Sequence, residues 1–129
     1  MFKQIHHIAF AVYNLDMLID LMKNVYDMKP ESRIEIGGRQ MEAVLFKTGE
    51  SYLEYLAPLS DESPLYEYLQ KNGEGFHHIA YLVEDIEDSK KILPPDAIIR
   101  ERKSDVGNWL IADLNSKYAL GLTSQIIQK

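Results

Sequence analysis

The sequence predicts an α+β domain built from two tandem β-α-β-β-β modules, and three observations carry that expectation. The segment His6-His7-Ile8-Ala9-Phe10-Ala11-Val12 returns as His77-His78-Ile79-Ala80-Tyr81-Leu82-Val83, an offset of 71 residues (78 − 7). Self-similarity at a fixed spacing marks a duplicated structural unit. Each copy then runs into a helix-like stretch opened by a capping residue, Asn14-Leu15-Asp16 and Asp85-Ile86-Glu87. Each half continues with short apolar runs parted by turn residues.

The elements follow in order. Residues 4 to 12 are apolar, β-branched and aromatic and read as a strand. Asn14 stands at a helix N-cap ahead of Leu15, Leu18, Ile19, Leu21, Met22 and Val25 at helical spacing. After Pro30, the runs Arg33 to Ile36, Met41 to Phe46 and Tyr52 to Ala57 are separated by Gly37-Gly38 and Gly49, which suggests three strands joined by tight turns. Ser63-Pro64 opens a short linking helix and Asn72-Gly73 closes it. Residues 77 to 83 repeat the first strand, and Asp85 caps a helix that Pro94-Pro95 stops. Strands are expected near 97 to 102, 108 to 113 and 118 to 123, with turn signals at Asp105-Val106-Gly107 and Asn115-Ser116. The expected organisation is one domain over 1–129, with module 1 at about 4–60, the linking helix at about 63–73 and module 2 at about 76–125.

Composition narrows the function classes. With 46% hydrophobic and 26% charged residues the chain has ordinary globular content. A net charge of −6 argues against a nucleic-acid partner, because the Arg100, Arg102 and Lys103 group is too small to track phosphates. Cysteine is absent, so no thiolate ligand or thiol nucleophile exists, and a cytoplasmic location is the simplest expectation. No leader pattern is seen, and no apolar run approaches the roughly 18 residues of a membrane span; no membrane partner is expected.

Alternation across a strand lets only one histidine of each pair face a given side. His6, Ile8, Phe10 and Val12 form a bulky apolar face, whereas His7 lies beside the small Ala9 and Ala11. The second copy sets His78, Ala80 and Leu82 on the equivalent face. Small neighbours leave room for a ligand, so His7 and His78 are the candidates for a cavity, although a histidine at a strand start also serves as a plain structural hydrogen-bonding residue. Glu54 within Tyr52-Leu53-Glu54-Tyr55-Leu56, and Glu42 within Met41-Glu42-Ala43-Val44-Leu45-Phe46, put carboxylates into apolar strands. Each needs a partner or a metal if buried, and faces water otherwise.

The run Ala57-Pro58-Leu59-Ser60-Asp61-Glu62-Ser63-Pro64, followed by Lys71-Asn72-Gly73-Glu74-Gly75-Phe76-His77-His78-Ile79-Ala80, resembles the methylmalonyl-CoA epimerase branch of the vicinal oxygen chelate superfamily (glyoxalases, bleomycin-resistance proteins and dioxygenases). The resemblance spans almost the whole chain. It implies a glyoxalase-like domain in which two β-α-β-β-β modules close around a divalent metal such as Co, Zn, Ni, Mn or Fe. It also implies His7, Glu54 and His78 as ligands, Glu42 as general base, and a homodimer. The family's fourth ligand is a glutamate in the last strand. Overlaying Leu53-Glu54-Tyr55 on Leu120-Gly121-Leu122, a shift of 67 (121 − 54), places Gly121 there and implies that this ligand is lost.

Two imidazoles and one carboxylate can hold a divalent ion with open positions. Such a site suits proton abstraction beside a carbonyl or thioester, as in an epimerase, an isomerase or a glyoxalase-type lyase, with an acyl-CoA as a natural small-molecule substrate. Tyr118 or water near Gly121 would deliver the second proton. The alternatives are a metal-free sequestering protein that binds a small cationic molecule, and an iron-dependent dioxygenase built on the two-histidine-one-carboxylate count.

Overall fold

The computed structural model describes residues 1–129. It contains eight strands and three α-helices in the order β1 (Gln4–Ala11), α1 (Leu15–Tyr26), β2 (Ser32–Ile36), β3 (Met41–Thr48), β4 (Ser51–Pro58), α2 (Pro64–Asn72), β5 (Gly75–Leu82), α3 (Ile86–Lys90), β6 (Ile98–Lys103), β7 (Leu110–Leu114) and β8 (Ser124–Gln128). The two β-α-β-β-β modules and the helix between them are therefore present. No helix is long and apolar enough to cross a membrane. Residue contacts divide the chain into two compact units, one of Ala9–His77 and one of Met1–Ile8 with His78–Lys129.

In the Ala9–His77 unit the strand order is β2-β3-β4-β1. Asn14 starts α1 by accepting from the Met17 N–H at 3.0 Å, which satisfies one of the unpaired donors of the first turn. The helix ends at Asp27, whose left-handed φ of 53° lets its N–H return to the last carbonyls. Leu15 and Met22 point inward and pack with Val44 and Phe46 of β3 and Ala57 of β4. β3 and β4 form a hairpin in register from Met41↔Pro58 to Thr48↔Ser51, turned at Gly49 with φ 62°. α2 begins at Ser63, whose hydroxyl accepts from the Leu65 N–H, with Pro64 at the first helical position where a missing N–H costs nothing.

In the second unit the start of β1 is followed across the sheet by β5, β8, β7 and β6. β5 and β8 run parallel with Ala80 opposite Gln125, and β7 and β8 run antiparallel with Asp113 opposite Gln125. One face of this sheet buries Ala112, Ile126 and Val83 with Ile86 of α3, and the other buries Ala80, Ile111 and Ile127 with Leu82 and Trp109 packed against them. α3 is only five residues long and ends well before Pro94, because the backbone tightens after Lys90 with Ile92 and Leu93 both bonding back to Ser89.

The last strand lies elsewhere than the sequence suggests. Residues 118 to 123 are turn, not strand: Asn115 caps a short 3-10 turn over Ser116–Tyr118, and Leu120 and Gly121 both take positive φ, 58° and 83°. A positive φ at two successive residues breaks the pleat, so the ladder begins only at Ser124. The repeat itself is regular. The Val12 N–H donates to the Leu56 carbonyl in one unit and the Val83 N–H donates to the Ile127 carbonyl in the other, each at or near 2.8 Å and each shifted by 71 at both ends (83 − 12 and 127 − 56). The residue equivalent to Glu54 is therefore Gln125 (54 + 71), and Gly121 stands in no ligand position.

Phe46 is fully buried between α1 and β4. Phe46→Ala should lower unfolding free energy by about 3–5 kcal/mol, read from the midpoint shift in urea titration at unchanged slope. A loss below about 1 kcal/mol would show that this side chain does not fill the core as described.

Candidate metal centre

His7 on β1 and His78 on β5 belong to the same unit and meet directly. Their Nε2 atoms are 3.0 Å apart, and both rings are buried. The other nitrogen of His7, Nδ1, lies 2.8 Å from Nδ1 of His6. Burial, with the nearby charges of His6 and Arg102 adding to it, pushes the His7 pKa down to about 3, and burial with Lys129 lowers that of His6 to about 4. Both rings are neutral at pH 7, the form in which imidazole offers a lone pair to a cation. One proton lies between the two Nδ1 atoms, and in the tautomer where His7 donates it the His7 Nε2 is left as an acceptor, the orientation a ligating histidine needs. The 3.0 Å spacing is that of an N–H···N hydrogen bond, and two nitrogens at about 2.1 Å from one ion and at a right angle would stand about as far apart.

Trp109 closes this face. Its ring stacks edge-on with His6 at 4.8 Å between centroids. Gly107 makes room for it: a Cβ there would stand 1.6 Å from the indole, so only glycine permits this approach.

Gln125 is the residue the sequence reading missed. It is buried and lies opposite Ala80, two residues along β5 from His78 and on the same face. Its Nε2 donates to Asp113 Oδ1 at 3.0 Å. Its Oε1 is buried and has no hydrogen-bond partner. An unsatisfied buried carbonyl oxygen costs about 1–3 kcal/mol, which a metal ion or a substrate donor would offset. The constant offset of 71 was the signal that pointed to it.

The carboxylates separate. Glu54 is buried on β4 and shares its side of the strand with Leu56, whereas Leu53, Tyr55 and Ala57 face α1. Glu42 lies opposite Ala57 and shares its side of β3 with Val44 and Phe46, which also pack on α1. The Arg33 guanidinium holds it, with Nη2 3.1 Å from both carboxylate oxygens, and bonds Asp16 of α1 at 2.7 Å. Glu42, expected as general base, is thus a tie between β2, β3 and α1 on the face away from Glu54. Tyr118 is exposed, and its hydroxyl donates to Asp96 at 2.7 Å, so it is spent at the surface rather than serving as a proton donor.

An eight-stranded α+β fold of repeated β-α-β-β-β units defines a glyoxalase-like class, and the chain belongs to the Glyoxalase/Bleomycin resistance protein/Dioxygenase superfamily, whose family model matches residues 6–96. Among curated relatives, it is 34% identical over 94 residues to the mitochondrial methylmalonyl-CoA epimerase of Dictyostelium discoideum, covering 70% of this chain and 55% of that one. It is also 34% identical over 93 residues to the ethylmalonyl-CoA/methylmalonyl-CoA epimerase of Cereibacter sphaeroides, covering 67% and 65%. The chain spans about half to two thirds of the length of the curated relatives it matches. Among solved structures, a methylmalonyl-CoA epimerase matches with TM-score 0.87 at 25% identity over 99% of this chain and 96% of that one. A Streptomyces coelicolor methylmalonyl-CoA epimerase, in complex with 2-nitronate-propionyl-CoA, shares the fold with TM-score 0.84 at 22% identity, covering all of this chain and 99% of that one.

The lowered histidine pKa values set a pH dependence. In the metal-free protein His6 and His7 stay neutral well below pH 6.5, while in the unfolded chain they take up protons there, so the unfolded state gains protons as pH falls and stability falls with it. The urea midpoint should decline from pH 7 to pH 5, a window above the carboxylate range, and His7→Gln should flatten that decline. A midpoint that stays level across this window in the parent would mean that the folded imidazoles titrate normally.

Proposed function

We propose that the chain is an epimerase-like enzyme that removes a proton next to the carbonyl of an acyl thioester, with a divalent metal held by His7, His78, Gln125 and Glu54. The observation that carries this reading is the pair of buried imidazoles, His7 and His78, with Nε2 atoms 3.0 Å apart, on the same face as the unpartnered Oε1 of Gln125. Two nitrogens and two oxygens suit a first-row divalent ion. Glu54 is included because the family resemblance implies it as a ligand and because it forms a buried group with His7 and His78 that could hold a metal ion.

The family resemblance implies a glutamate in the last strand, and Gln125 stands in that strand here, so the proposed set carries one carboxylate, Glu54. A bound divalent ion would supply Lewis-acid stabilisation of the negative charge that develops on the substrate oxygen as the proton leaves. An amide cannot carry a proton at neutral pH, so Gln125 orients and Glu54 is the group that takes the proton. His6 fixes the His7 ring, and Ala9, Ala11 and Ala80, all fully buried, keep side chains short beside the histidines. The acyl-CoA class is supported by the names of the epimerase relatives.

Exchange of the α-hydrogen of methylmalonyl-CoA in deuterated buffer, followed by proton NMR with added Co²⁺ or Mn²⁺, tests the activity. Glu54→Gln should slow exchange by about 10²- to 10⁴-fold, whereas Glu42→Gln should leave the rate within a few fold and lower stability by about 0.2–1 kcal/mol. Equal rates for the parent and Glu54→Gln would remove Glu54 from the chemistry, and an absence of exchange in the parent would remove the activity. Elemental analysis is a second check: the parent should retain about one metal per chain, and His78→Ala should retain none.

A further inference from the structure

A buried ladder crosses three strands of the second unit. Gln125 on β8 donates from Nε2 to Asp113 Oδ1 on β7 at 3.0 Å. The other oxygen of Asp113, Oδ2, accepts from Arg100 on β6 through Nε and Nη2, both at 2.8 Å, with Arg102 Nε farther off at 3.5 Å. Exposure rises along it: Gln125 is 4% exposed, the Asp113 side chain 10%, and the Arg100 side chain 61%.

We infer that Asp113 is a positioning residue: it holds the Gln125 amide in one of its two orientations, so that a carbonyl oxygen and not an NH₂ group faces the site. An amide can turn by 180° at almost no steric cost, and its two ends differ only in hydrogen bonding. A carboxylate accepts and cannot donate, so the reverse orientation would set two oxygens against each other at 3.0 Å. The guanidiniums on the far side only donate, so Asp113 stays an acceptor towards both neighbours. The consequence is visible at the other end of the amide, where Oε1 is buried and unpartnered on the face that carries His78. A donor-only NH₂ there could not ligate a cation.

The geometry stands by itself, but its effect on metal affinity rests on the metal reading above, and the test separates the two. In Asp113→Asn the side-chain oxygen is claimed by Arg100, its NH₂ turns towards Gln125, and the Gln125 amide flips to accept. Affinity for Co²⁺, measured by competitive chelator titration, should fall about 10- to 100-fold, the range typical of lost support behind a ligand. The same substitution in a Gln125→Glu background should cost little, because a carboxylate offers an oxygen to both sides at once. This is a double-mutant cycle with strong coupling. An equal loss in the two backgrounds would reduce Asp113 to a structural residue and overturn the inference. Neutron diffraction from metal-free parent crystals reads the orientation directly: the two deuterons should sit on the atom facing Asp113, and finding them on the other end overturns the inference. A parent that binds no Co²⁺ with its deuterons in the expected place sinks the metal reading and leaves the orientation standing.

Discussion

The contact between His7 and His78 organises the second unit. Two polar rings are taken out of water, and each then depends on a neighbour for its hydrogen bonds. His7 shares a proton with His6, His6 packs edge-on against Trp109, and the place of Trp109 requires a residue without a side chain at Gly107. A change at any of these positions is transmitted to the Nε2 atoms. The small side chains of Ala9, Ala11 and Ala80 complete the arrangement by adding no bulk beside the rings.

Strand alternation then assigns the acidic residues. Glu42 and Glu54 sit on adjacent strands of one hairpin and carry the same functional group, yet they face opposite sides of it. The one facing α1 meets Arg33 and becomes part of the scaffold. The other is buried among apolar side chains without that guanidinium. The proposed chemistry therefore falls to Glu54, while Glu42 is held by the Arg33 guanidinium.

In the proposed ligand set the last strand supplies an amide, Gln125, rather than a carboxylate. A glutamine in the last strand keeps an oxygen for a cation while giving up a proton-carrying group, and an amide needs something to keep it from turning. Asp113 meets that need, backed by Arg100 on the edge strand. Neutral oxygen ligands are weaker than carboxylates, and an anion behind the amide raises the electron density on its oxygen.

Much of the architecture was legible in the chain itself, for physical reasons. The repeated histidine strand, the Asn14, Ser63 and Asp85 caps and the proline and glycine stops all act locally, so they declare strand, helix and turn without reference to the rest of the molecule. The side of β1 and β5 that would carry the site also followed, since alanines beside a histidine contrast with isoleucine and aromatic residues. The last strand did not follow, because Leu120 and Gly121 adopt positive φ in a turn whose sequence is as apolar as a strand. The face of Glu42 was hidden as well: Val44, Leu45 and Phe46 are apolar on both sides of β3, so only α1 packing against one of them tells which side is covered. Period and chain chemistry determined the repeat and its histidines; the register of β8 against β5, which only packing decides, determined that Gln125 stands beside them.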